Sequence, residues 1–134
     1  MKNVFQILSL LFVCLLAQSC GETPLDDNDL LITDSEECYI SNFELKGPDD
    51  RNTLVSSTIA DVEGDNTKGT ITAVAKFGTN LKHVKPNCSV AKDCIMTPAM
   101  GVWTDFSQPR QYTVISGNRK VKKTYTITVT LQGE

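Results

Sequence analysis

TYTITVTL, residues 124–131, sets apolar Tyr125, Ile127, Val129 and Leu131 against Thr124, Thr126, Thr128 and Thr130. A period of two in β-branched residues predicts a strand with one face buried and the other wet. The pattern recurs upstream in TITAVAKF (70–77), which places Ile71, Ala73, Ala75 and Phe77 inward and Thr70, Thr72 and Lys76 outward. Val74 falls on that outer side. QYTVIS (111–116) adds Tyr112 and Val114. CYISNFEL (38–45) changes phase, with Cys38 and Ile40 on one side and Phe43 and Leu45 on the other. One extra residue near Ser41–Asn42 restores the phase, so a β-bulge is expected there. Leu54, Val55, Ile59 and Val62 mark a less regular strand, and Cys88–Val90 and Cys94–Met96 two short ones around Ala91–Asp93. Turn residues punctuate these runs at Gly47-Pro48-Asp49-Asp50, Gly64-Asp65-Asn66, Gly78-Thr79-Asn80, Pro98, Gly101, Pro109 and Gly117-Asn118. No segment after residue 38 has the period of an amphipathic helix. About seven short strands with frequent turns describe an all-β sandwich over residues 38–134.

The other end of the chain has a different grammar. In MKNVFQILSLLFVCLLAQSCG (1–21), Lys2 precedes an apolar run from Val4 to Ala17 broken by Gln6 and Ser9; Ser19, Cys20 and Gly21 follow. Charge, apolar core and small residues come in the order of a secretory signal. The run is shorter than the roughly 20 residues that cross a bilayer. Cys20 behind a small residue resembles the lipobox of bacterial lipoproteins, with Ala17 where that family usually has Leu. The resemblance implies diacylglycerol on the Cys20 thiol, cleavage just before it, and a lipid-anchored protein of the outer membrane or cell surface. Three parts are therefore expected: a signal peptide over 1–19, a lipidated Cys and acidic tether over 20–37, and the sandwich over 38–134.

Charge divides along the same boundary. Residues 21–37 hold seven acids and no base, whereas residues 38–134 hold nine acids and twelve bases. So acidic and apolar-poor a leader is expected to stay disordered. Its 17 residues reach at most about 55–60 Å when extended. Acids just after the Cys also resemble the surface-export signal of Bacteroidota lipoproteins, although a solvated linker has the same composition. The small positive balance of residues 38–134 does not argue for nucleic acid. Arg119, Lys120, Lys122 and Lys123 form its one basic cluster, at a predicted hairpin tip.

Candidate chemistry is sparse. Besides Cys14 in the signal and Cys20, the chain holds Cys38, Cys88 and Cys94. A disulfide is permitted outside the cytoplasm. Cys88 with Cys94 would close a short hairpin-like loop, and Cys38 with Cys94 is the competing pair. The spacing lacks a CxxC, and a metal site is not expected. His83 is the only imidazole and no Gly-x-Ser-x-Gly elbow occurs, so no catalytic residue is assigned. Asp61-Val62-Glu63-Gly64-Asp65-Asn66 alternates oxygens as a calcium loop does, but Asn66 and Thr72 stand where such a loop has Gly and Glu. Trp103, with Phe106, either plugs an open end of the sandwich or offers a sugar ring a flat platform.

Ile40-x-x-Phe43-x-Leu45, Gly69-Thr70-Ile71, Gly78-Thr79-Asn80-Leu81, Pro86, Pro98-x-x-Gly101, Asp105-Phe106-Ser107-x-Pro109-x-x-Tyr112-x-Val114 and Tyr125-x-Ile127-x-Val129 follow in order. Together they resemble the immunoglobulin-like module of Bacteroidota cell-surface lipoproteins, often found ahead of glycan-binding domains. Trp103 follows both Cys88 and Cys94, so the antibody-type Cys, Trp, Cys order is missing. The resemblance implies a seven-strand immunoglobulin-like sandwich without catalytic residues or cofactor. With no second domain behind the module, it is expected to use its own loops or to pair with a partner. The expected role is a non-enzymatic binding or adhesion module, accessory to glycan uptake, with a polysaccharide as ligand. The alternative is a structural or assembly subunit that docks an edge strand onto an outer-membrane protein.

Overall fold

The computed structural model describes residues 24–134; the signal segment and Cys20 lie outside the described residues. Two units are distinguished, one ending at Leu31 and one spanning Ile32–Glu134. In the first, Leu25 and Leu31 form an antiparallel bridge. The Asp26 carboxylate accepts the N–H groups of Asn28 and Leu30 at 2.9 and 3.0 Å. This is the local Asp-to-backbone bonding that competes with regular structure.

The second unit is all β, with strands β1 (Ile40–Lys46), β2 (Leu54–Val62), β3 (Asp65–Ala75), β4 (Lys85–Val90), β5 (Ile95–Thr97), β6 (Arg110–Ile115) and β7 (Lys122–Leu131). β1 and β4 make a two-stranded sheet; the other five run in the order β2-β3-β7-β6-β5. Seven strands in two sheets form a β-sandwich. β3 and β7 pair in parallel, with Gly69 beside Tyr125 and Ile71 beside Ile127. The predicted bulge in β1 is present, the register shifting between Ile40 and Asn42. It lets Ile40, Phe43 and Leu45 all point inward, at 3%, 2% and 0% exposure.

The buried interior gathers these side chains with Ile71, Val84, Phe106, Tyr112, Val114, Tyr125 and Ile127. Phe106 lies 6.2 Å from the Tyr112 ring and 6.3 Å from that of Phe43. Tyr125 reaches across to the other sheet, where its hydroxyl accepts the Ile40 N–H at 3.2 Å. Burying such aromatic and aliphatic surface is the main favourable term in folding.

Three expectations need correction. Phe77 does not face inward: it is 85% exposed. β3 stops at Ala75, Lys76 N–H bonds to Thr53 O, and Thr79 N–H bonds to Lys76 O, which turns the chain before Phe77 can join the core. The Cys88 and Cys94 segments do not form a hairpin, because β4 pairs with β1 in one sheet and β5 with β6 in the other. Lys123 does not belong to an exposed basic tip. It is 8% exposed, bonded to Asp61, and lies 5.3 Å from the Tyr125 ring.

Residues 32–37, expected to belong to the tether, are bonded to the β6–β7 turn. Thr33 N–H reaches Gly117 O, and Asn118 N–H reaches Ser35 O, both at 2.9 Å. Gly117 permits this approach: a Cβ there would stand 2.3 Å from Thr33 Oγ1.

Candidate functional site

β1 and β4 turn one face inward and the other to solvent. Outward positions are Asn42, Glu44 and Lys46 on β1 and Lys85, Asn87 and Ser89 on β4, alternating with buried Phe43, Leu45 and Pro86. Asn42 opposes Ser89, Glu44 opposes Asn87, and Lys46 opposes Lys85. The loop between β5 and β6 extends this sheet through one bridge. Val84 N–H donates to Thr104 O at 3.2 Å, and Thr104 N–H to Val84 O at 2.7 Å. Val84 is buried, so its neighbours His83 and Lys85 project to the outer side with Trp103.

There the three side chains meet. The His83 and Trp103 rings stack with centroids 3.9 Å apart and planes 10° from parallel. Lys85 Nζ lies over the Trp103 ring, 4.4 Å from its centroid, within the range of a cation–π contact. Trp103 is nevertheless 39% exposed, and neighbouring Val102 is 54% exposed. Of the two aromatics expected to plug the sandwich, Phe106 does so and Trp103 does not. Val102 and Thr104 also border an open groove of about 770 Å³, shared with Pro98, Arg110, Tyr112 and Thr126.

The loop that presents Trp103 is held from below. Phe106 N–H donates to Leu81 O at 2.7 Å. Asp105 Oδ1 accepts the Ser107 N–H at 2.8 Å, and Asp105 O accepts Arg110 Nε at 2.7 Å. The Ser107 hydrogen bonds, helped by Arg110 and Lys82, hold the Asp105 carboxyl below its ordinary value. Asp-Phe-Ser is therefore a turn that seats a core aromatic.

The cysteines lie elsewhere, and all three are free thiols. Cys38 Sγ lies 3.2 Å from Val114 O, and Cys94 Sγ donates to Glu37 O at 3.0 Å. Cys94 thus reaches the residue next to Cys38. Burial pushes the Cys88 thiol up to about 12. The Asp61–Asn66 stretch closes the β2–β3 hairpin. There Asp61 bonds to Lys123 and Asp65 accepts the Thr67 N–H at 2.9 Å. Among the described residues, no group of three or more His, Cys, Asp or Glu is placed to hold a metal.

The sequence marks Trp103 as a candidate but not its partners. His83 carries no catalytic motif in the sequence, and Lys85 stands in no motif at all. The signal was local: His83 and Lys85 flank an apolar Val84, as strand neighbours on one face do. Their distance from Trp103 in the chain hid the contact.

Seven strands in two sheets place the chain in the class of all-β sandwiches, here with Trp103 and Lys85 meeting beside the β1–β4 sheet. A family model described as SGBP, N-terminal, matches residues 53–129, and the chain belongs to that family. No curated protein matches it. Among solved structures it is similar to a Bacteroides thetaiotaomicron protein assigned provisionally to the glycoside hydrolases. That likeness has 22% identity and a TM-score of 0.53, over 81% of this chain and 27% of that one. It is also similar to a Bacteroides fragilis protein assigned provisionally as secreted, with 18% identity and a TM-score of 0.51, over 72% of this chain and 97% of that one. The chain thus spans about a quarter of the first and nearly all of the second. At these identities the likenesses establish the fold.

Proposed function

We propose that this chain is a non-enzymatic glycan-binding module of the Bacteroidota cell envelope, accessory to glycan uptake and anchored by lipid on Cys20. The observation that carries the reading is Trp103, held 39% exposed on a polar sheet face by His83 and Lys85. A flat indole receives the C–H side of a sugar ring, and Asn87 and Glu44, the pair next to Lys85 and Lys46 on the same face, supply donors and acceptors for its hydroxyls. Membership of the SGBP family, whose name denotes glycan-binding proteins, supports it. The signal order of residues 1–21 supports the anchor.

Trp103→Ala is the test. Trp103 lies outside the buried core, so the variant is expected to lose less than about 1 kcal/mol of stability. It is expected to lose retention on a polysaccharide array that retains the wild type. A folded variant that still binds, or a wild type that binds no polysaccharide, would overturn the reading.

A second reading has its own observation. β2 is an edge strand of the large sheet and carries no charge from Leu54 to Ala60, with Val55 51% exposed. An uncharged edge is a template for strand addition, so docking onto an outer-membrane partner protein is the alternative role.

A further inference from the structure

Lys46 and Lys85 are direct partners across β1 and β4. Opposed positions hold their Cβ atoms about 4.5–5.5 Å apart on one face, where like charges repel. Among the described residues, neither ammonium is ion-paired with a carboxylate. Glu44, the one acid on these two strands, lies opposite Asn87. Lys85 instead rests on the Trp103 indole. An unneutralised lysine pair beside a half-open aromatic is costly in the free protein and suited to an anion.

We infer that this face takes an acidic polysaccharide. The anionic group of one sugar lies between Lys46 and Lys85, and the apolar side of the ring lies on Trp103. The inference rests on the glycan-binding reading of that face and names the class of glycan. A carboxylate or sulfate offers Lys85 a charge-assisted hydrogen bond, which is stronger than its contact with the ring. As the ammonium leaves for the anion, it bares the indole for stacking. One movement thus couples recognition of charge to recognition of shape, and a neutral sugar gives Lys85 less reason to move.

Affinity electrophoresis of the full chain in detergent tests this, with polygalacturonate, a sulfated galactan and a neutral galactan in the gel. Retardation is expected with at least one acidic polymer and not with the neutral one. A response to polygalacturonate alone identifies a carboxylate, and to the sulfated polymer alone a sulfate ester. Lys46→Met and Lys85→Met should each weaken retardation about five- to tenfold, and Lys85→Arg should largely keep it. Lys68→Met, at an exposed lysine on β3, should leave it unchanged. If Lys68→Met weakens it as much as the others, bulk charge is responsible and the inference falls. If the neutral galactan retards the protein equally and neither Lys46 nor Lys85 matters, the acidic class falls while the glycan reading stands. If no polymer retards it, both fall. Should a methionine variant unfold, Lys46→Gln or Lys85→Gln takes its place in the same comparison with Lys68→Met.

Discussion

The carboxylate of Asp105 accepts the Ser107 N–H, and that single turn directs Phe106 into the core while Trp103, three residues from Phe106, stays outside. Two aromatics in one loop therefore have opposite roles, which neither residue type decides. Because the folded-state value of Asp105 is depressed, its contribution to stability is present above the ordinary carboxylate value of 3.8 and is lost as pH falls through the lower folded value. Asp105→Ala should therefore lower the thermal midpoint at neutral pH, and its difference from wild type should narrow as pH falls below 3.8. Calorimetry across that range checks it; a constant difference would show that the charge is irrelevant. Lys123 is the converse case. Burial pulls its value down, but Asp61 and Tyr125 together outweigh this and hold it above the usual lysine value.

At the scale of elements, the parallel β3–β7 pair depends on one missing side chain. Gly69 lies beside Tyr125, and a Cβ there would stand 2.4 Å from the ring. Tyr125 is fully packed and its hydroxyl holds the β1 bulge, so it has little room to yield. Gly69→Ala should cost about 1–3 kcal/mol, the range for overpacking a core, read from urea denaturation. The crossing from β4 to β5 has a redox consequence. Cys94 reaches Glu37 O, next to Cys38, whereas the half-buried Cys88 lies on β4. Oxidised glutathione should therefore join Cys38 to Cys94, two thiols becoming one disulfide as the glutathione is reduced. Peptide mapping under non-reducing conditions should recover that linkage; a Cys88–Cys94 peptide would refute the assignment.

Across the whole sandwich unit, the ends differ. The chain enters beside the β6–β7 turn, through Thr33 and Ser35. The last strand finishes beside Ala75, and Thr53, which bonds to both Leu45 O and Lys76 N–H, brings that end next to where β1 closes at Lys46 and β4 opens at Lys85. Trp103 and His83 thus lie towards the end of the sandwich away from Thr33 and Ser35. The β2 edge runs along the side and is available independently of Trp103. If it docks a partner, a photo-crosslinker at Ser57 should trap one outer-membrane protein on intact cells, and Trp103→Ala should not reduce the yield. Recovery of uncrosslinked protein alone would remove that reading.

Alternation by itself determined the strands. TYTITVTL and TITAVAKF state which side faces inward, and the phase change in CYISNFEL locates the bulge, because strand periodicity and burial are local properties of neighbouring residues. Only the tertiary structure decided which strands pair, that β3 and β7 run parallel, that β4 and β5 part into different sheets, and that Phe77 lies outside. The candidate site divides the same way: Trp103 could be singled out from the sequence, but His83 stacked on it, and Lys46 opposite Lys85, could not. Those contacts join residues far apart in the chain, and no local period encodes which distant strand supplies a neighbour. Their energies arise once the sheets have closed on one another.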